Sequence, residues 1–129
     1  MSSAEPEIDT TTPSIARCYD ALLGGTNHFP VDQAVLDQLV AVAPELAALA
    51  WENRGFLSRA TRFLAGKAGI DQFLDCGSGL PTVENTHQVA QRINPRATVV
   101  YVDNDPLATA HGRRLLSDND YAAVVQADF

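Results

Sequence analysis

An apolar pair, an acid and a G-x-G turn follow one another in Phe73-Leu74-Asp75-Cys76-Gly77-Ser78-Gly79-Leu80-Pro81. Glycines such as Gly77 and Gly79 let a backbone approach a ligand with no Cβ in the way. A helix beginning directly after them turns its first N–H groups and its positive dipole end toward an anion. A plain tight turn between strand and helix is the alternative, because G-x-G without context is a weak motif. Two further acids give this one context. Asp103 follows the β-branched run Val99-Val100-Tyr101-Val102, and Asp128 follows the apolar stretch that ends at Ala127. An ionised carboxylate only accepts hydrogen bonds, which suits the vicinal diol of a ribose. An acid just past the second strand of a nucleotide-binding sheet takes that role. Asp105 reads instead as the N-cap of the next helix.

These acids act together only if the fold puts them on one edge, and the periodicity does so. Ile70 to Asp75, Ala97 to Val102 and Tyr121 to Ala127 read as strands, with helices over Thr82 to Ile93 and Leu107 to Leu116 between them. Such alternation implies a parallel sheet with right-handed crossovers. Asp75, Asp103 and Asp128 then lie at the carboxyl ends of successive strands, where open α/β sheets bind ligands. The unbroken run Val99 to Val102 predicts a strand covered on both faces, and Cys76 a small buried hydrophobe. Residues 1–13 read as a mobile tail and 14–69 as a helical cap. The cap's first helix, Ser14 to Leu23, would bury Ile15, Cys18, Tyr19 and Leu22 and stop at Gly24-Gly25. A second helix follows over Val31 to Ala43. A third begins at Pro44 and runs to about Gly66, with Leu46, Leu49, Leu57, Ala60 and Leu64 inward. The fold class is α/β: a helical cap, then β-α-β-α-β over 70–129, the first half of a doubly wound Rossmann-like sheet.

With 129 residues, 46% hydrophobic and 19% charged, the composition is that of a folded domain. Sixteen acidic against nine basic residues, a net charge of −7, speak against phosphate-driven nucleic-acid binding. No apolar run approaches the roughly 18 residues of a membrane span, and the acidic N-terminus lacks the pattern of a signal peptide. The expectation is a cytoplasmic protein with neither nucleic acid nor membrane as partner. Cys18 and Cys76 suggest no disulfide framework, and His28, His87 and His111 lack metal-ligand spacing.

A NAD-type dinucleotide site is disfavoured, since Thr82 stands at the third glycine of its fingerprint and the acid Asp75 precedes the glycines. Asp-x-Gly-x-Gly resembles the first motif of class I S-adenosylmethionine-dependent methyltransferases. Segments 13–29, 43–46, 53–57, 72–82 and 99–106 are similar to one actinobacterial methyltransferase family long catalogued as a domain of unknown function. Pro81 belongs to that family's version of the turn. The resemblance, over residues 13–129, implies S-adenosyl-L-methionine or S-adenosylhomocysteine as the bound partner. It implies that Gly77, Ser78 and Gly79, after Asp75, lie against the methionine and ribose parts, Asp103 and Asn104 on the ribose, and Asp128 and Phe129 on the adenine. Gly24-Gly25-Thr26-Asn27, with Tyr19 nearby, reads either as a lid over the cofactor or as a simple helix stop. Arg54, Arg59 and Arg62 read as a solvated row or as partners for a carboxylate, and Trp51 as a packing residue.

The same resemblance implies a seven-stranded sheet, of which the chain supplies three strands. The expectation is therefore the cofactor-binding, N-terminal part of a methyltransferase acting on a small molecule, truncated before its substrate half. A catalytically inactive remnant or nucleotide-binding module is the alternative. An unpartnered first strand would then invite self-association through the sheet edge.

Overall fold

The computed structural model describes residues 7–82 and 84–128. Three helices come first: α1 (Ile15–Leu22), α2 (Pro30–Val42) and α3 (Leu46–Ala65). Strands and helices then alternate as β1 (Gln72–Cys76), α4 (Thr86–Ile93), β2 (Thr98–Asp103), α5 (Pro106–Leu115) and β3 (Ala122–Gln126). The strands are parallel in the order β1-β2-β3, with β2 central, as the alternation predicts. No single helix among the described residues is long and apolar enough to cross a membrane.

Register sets which residues share a face. Phe73 is level with Val99 and Ala122, and Asp75 with Tyr101 and Val124. This is the covered face. Val99, Tyr101 and Leu116 form its core with Phe73, Ala122 and Val124 against it. Ala65 of α3, Ala90 of α4 and Ala97 form an adjoining cluster that also touches Phe73. On α5, a Cβ at Gly112 would lie 2.8 Å from a Val124 methyl, so only glycine lets the helix settle this close to β3. The other face corrects two expectations. Leu74 is 67% and Val125 46% exposed, so the strands are covered on one side only among the described residues. Cys76 points the same way and is exposed rather than buried.

The cap departs further from its apolar reading. The buried residues of α1 are Arg17 and Asp20, while Ile15 is 91% exposed. α3 buries Ala50, Thr61 and Ala65 and leaves Leu49 and Leu64 exposed, because small residues allow close packing on α4. What holds the cap is polar. Arg17 Nε donates to Asp32 Oδ2 at 2.8 Å, both side chains being almost wholly buried. Asp32 also accepts from the amides of Ser14 (2.9 Å) and Phe29 (2.8 Å). The remaining Arg17 nitrogens donate to the carbonyls of Asp9 (2.9 Å) and Thr12 (2.6 Å), and the guanidinium lies over the Phe29 ring. Residues from Ile8 onward, expected within a mobile tail, are thus tied down; Ile8 itself packs near Leu80, Leu107 and Ala108. Ser14 Oγ donates to Asp105, whose other oxygen accepts from the Leu107 and Ala108 amides. The capping role expected of Asp105 is the one it has, and it joins the starts of α1 and α5.

A second polar cluster lies between α4 and β2. Tyr101 Oη accepts from the His87 backbone N–H at 2.7 Å and sits 2.7 Å from His87 Nδ1. With Nδ1 unprotonated, the phenol proton bridges the pair, an arrangement that fits a neutral imidazole. Burial favours that neutral form and pushes the His87 pKa down, and it pushes the Tyr101 phenol up.

Two predictions follow from these clusters. Burial alone would raise the Asp32 carboxyl, but the Ser14 and Phe29 amides and Arg17 outweigh it and hold it low. A carboxyl held low stabilises the fold above its unfolded value of about 4 and loses that contribution as pH falls through the folded one. Arg17→Met strands Asp32 in the interior and should cost about 3–5 kcal/mol in urea unfolding at neutral pH. It should also flatten the acid loss of stability below about pH 4; an unchanged urea midpoint contradicts this account. For His87 the folded pKa lies below the unfolded one, so stability is complete above about pH 6.5 and declines as pH falls below it. His87→Gln should remove that part of the pH dependence of the melting temperature, and an unaltered profile would exclude His87 as its source.

Candidate functional site

At the carboxyl end of β1 the chain turns through Gly77 (φ +70°) and Gly79 (φ +68°), a left-handed conformation that glycine adopts without strain. The expectation that this turn and the following helix donate N–H groups to an anion is not met. Gly77 N and Ser78 N both donate to the Val102 carbonyl, at 2.8 and 3.2 Å. Gly79 N donates to Asp103 Oδ2 at 2.7 Å. Nor does a helix begin at Thr82. The Asn85 side chain closes a local turn on Thr82, accepting from its N–H (2.9 Å) and donating to its carbonyl (2.7 Å). Side chains of this type compete with the helical backbone, so α4 starts only at Thr86. Buried Leu80 fastens the intervening segment to Leu107 and Ala108.

What the turn offers a ligand is bare backbone. A Cβ at Gly79 would meet nothing within 4 Å, so the space beside it is open. Asp103 is only 7% exposed, and its Oδ1 accepts from the Asp105 amide at 2.8 Å. Its backbone carbonyl accepts from Ala127 N at 3.1 Å. The residue picked out for ribose binding is thus also the brace of the turn. Asp75 is half-buried and accepts from Thr86 Oγ1 at 2.7 Å, tying β1 to the start of α4. Asn104 and Asp128 are exposed along the same carboxyl edge, and Phe129 lies outside the described residues.

Beside this edge is a cleft of about 630 Å³. Its walls come from the loop after α1 (Gly24 to Asn27), from α3 (Trp51, Arg54, Ser58) and from the segment after the glycine turn (Pro81, Thr82, Glu84). Gly24, at φ +78°, ends α1 as anticipated. Asp20 organises the loop: it is 4% exposed, and its Oδ2 accepts from Asn27 N at 3.0 Å. A Cβ at Gly25 would lie 2.3 Å from the Asp20 carboxylate oxygens. Arg54 Nη2 donates to the Glu84 carbonyl at 2.7 Å, so of the arginine row only Arg54 turns inward; Arg59 and Arg62 are exposed. The Arg92 guanidinium forks onto both Glu84 oxygens and holds that carboxyl below the usual range.

Gly25 and Asn27 therefore do lie in a cleft wall. Tyr19 does not: its hydroxyl donates to the Ala50 carbonyl (3.2 Å) and accepts from Asn53 (3.0 Å), bracing α1 on α3. Sequence reasoning missed Asp20, Ser58 and Glu84, and took Trp51 for a packing residue although it is 54% exposed on the cleft. The aspartate on the inward face of α1 beside a Gly-Gly stop was the available signal for the first of these.

A family model described as S-adenosyl methyltransferase matches residues 1–129. No curated protein matches the chain. Among solved structures, a candidate methyltransferase from Thermobifida fusca YX is 54% identical with a TM-score of 0.92, over 99% of this chain and 48% of that one. A DUF574 family protein from Streptomyces avermitilis MA-4680 is 40% identical with a TM-score of 0.90, over 95% of this chain and 47% of that one. The chain thus spans about half the length of each of these relatives. With a partial Rossmann-like sheet, a glycine turn at its carboxyl edge and a family model matching throughout, the chain belongs to the S-adenosyl methyltransferase family.

Proposed function

We propose that this chain is the cofactor-binding part of a methyltransferase and holds S-adenosyl-L-methionine at the carboxyl edge of its sheet. The observation that carries the reading is the open surface beside Gly79, next to Asp103, in a chain of this family. When bound, the cofactor supplies an electrophilic methyl group on a sulfonium sulfur. The chain's own residues bind and orient it. The bare Gly77-Ser78-Gly79 backbone permits close approach. Asp103 keeps two of its roughly four acceptor positions for a ribose diol after serving Gly79 and Asp105. Asn104 stands beside it, and Asp128 extends the edge toward the adenine. The Gly24 to Asn27 loop, including Gly25 and Asn27, shields the ligand from one side. Tyr19 acts at one remove by fixing α1 on α3. Positioning of this kind is the main contribution that a protein makes to an in-line transfer.

Titration calorimetry with S-adenosylhomocysteine should show one site per chain. Asp103→Ala should weaken it by about tenfold or more, the scale of a charged hydrogen bond, and should also lower the melting temperature, because the Gly79 and Asp105 amides lose their acceptor. No binding by the unaltered chain, or full affinity in a folded Asp103→Ala variant, removes the assignment. Gly79→Ala should fold but lose about 1–2 kcal/mol, because a side chain at this positive φ is strained. Its methyl group should also weaken S-adenosylhomocysteine; undiminished affinity would mean that the ligand lies elsewhere.

A further inference from the structure

We propose that the outer face of α3 is a self-association surface. A second copy of this chain lays its own α3 on it, antiparallel, with Phe56 at the twofold axis.

α3 packs on α4 and buries only Ala50, Thr61 and Ala65. On the side away from them Leu49, Phe56 and Phe63 are 58%, 64% and 55% exposed. They recur at every seventh position, which sets them in one row about 21 Å long down the helix. Single apolar residues on a surface need no explanation, but a row of large ones does. A stripe with this repeat is the seam along which two helices pack.

The charges beside the row select the occupant. Glu52 falls between Leu49 and Phe56, and Arg59 between Phe56 and Phe63, on the same flank of the helix. Both are exposed, and neither belongs to the ion pairs among the described residues, Arg17 with Asp32 and Arg92 with Glu84. Phe56 is midway between Leu49 and Phe63 and almost midway between Glu52 and Arg59. A second α3 turned end for end about Phe56 therefore meets Leu49 with its Phe63, and Phe56 with its Phe56. The same turn brings its Arg59 to within about 2 Å of level with Glu52, on the same flank. Exposed Glu45, just before the helix, and exposed Lys67, just after it, are also equally distant from Phe56 and of opposite sign. The face is thus complementary to itself, which is what a twofold contact requires. A parallel pairing would instead set Glu52 on Glu52 and Arg59 on Arg59. Acids early and bases late also suit the dipole of a lone helix, but that leaves the apolar row between them unexplained. One helix pair is smaller than a standard interface of roughly 1,600 Å², so the dimer is a weak one that dissociates at micromolar concentrations.

Sedimentation velocity of the full chain between about 1 and 200 μM should show a reversible equilibrium of monomer and dimer. Phe56→Asp should leave a folded monomer throughout, since the ring it removes is largely exposed. Glu52→Arg sets like charges face to face twice per dimer and should weaken association about fivefold or more. Adding Arg59→Glu to it should restore association to within about twofold of the unaltered chain. The charge exchange keeps the proposal testable if Phe56→Asp fails to fold. A chain that stays monomeric overturns the inference. A dimer that survives in folded Phe56→Asp also overturns it and moves the contact to another apolar surface, such as the open face of the sheet. A double variant that associates no better than Glu52→Arg excludes the antiparallel register and overturns it as well.

Discussion

Three backbone amides, one from beyond the carboxyl end of each strand, converge on Asp103. Gly79 N follows β1, Asp105 N follows β2 and Ala127 N follows β3. The first two meet the carboxylate and the third meets the residue's own carbonyl. Hydrogen bonds to an ionised acceptor are stronger than neutral ones, and in a buried place they have little competition from water. The glycine turn, the start of α5 and the end of β3 are therefore positioned against a single residue of the central strand. Asp103 therefore fixes the shape of this edge, whatever ligand rests on it.

The helical cap is joined to this edge by a similar device. Ser14 and Asp105 cap α1 and α5 and bond to one another, so the two helices start from a shared point. Behind them, Arg17 and Asp32 form a buried pair in which each charge has several partners. A buried pair is seldom a large net gain in stability against a well-packed apolar substitute. Its value here lies in direction: a guanidinium and a carboxylate meet in few geometries, whereas apolar side chains would allow α1 to rotate or slide. The cap needs that definition, because the loop it carries forms one wall of the cleft.

How far the sequence could be read follows from these facts. The strands and the order of elements were legible, because β-branched runs and their alternation with helical stretches are local signals. So were the glycine turn and the Asp105 cap, each a short-range rule of backbone chemistry. The inward faces of α1 and α3 were not. A hydropathy stripe assigns Ile15 and Leu49 to the interior, whereas the structure exposes them and buries Arg17, Asp20 and Thr61. Those residues are inside because partners distant in sequence satisfy them, and one-dimensional periodicity holds no record of partners. The delayed start of α4 has a related cause: the Asn85 side chain competes for backbone groups that a helical pattern would claim. The second face of the sheet was misread because an unbroken apolar run in β2 looks the same whether that side is fully covered or, as here, only half-buried at Val100 and Val102. At the carboxyl edge, the positions of Asp75, Asp103 and Asp128 were legible because strand order sets them. Of the cleft, the Gly24 to Asn27 wall and Arg54 were named, but Asp20, Ser58 and Glu84 were missed because they come from three separate elements and share no spacing.

The contact between Gly25 and Asp20 bears on how the family can vary. Any side chain at position 25 would collide with the carboxylate at position 20, at 2.3 Å for a Cβ alone. The reverse does not hold, since shortening residue 20 creates space. Change at position 25 is therefore tied to residue 20: a side chain there fits only if the Asp20 carboxylate swings aside and gives up the Asn27 amide, or is replaced by something shorter.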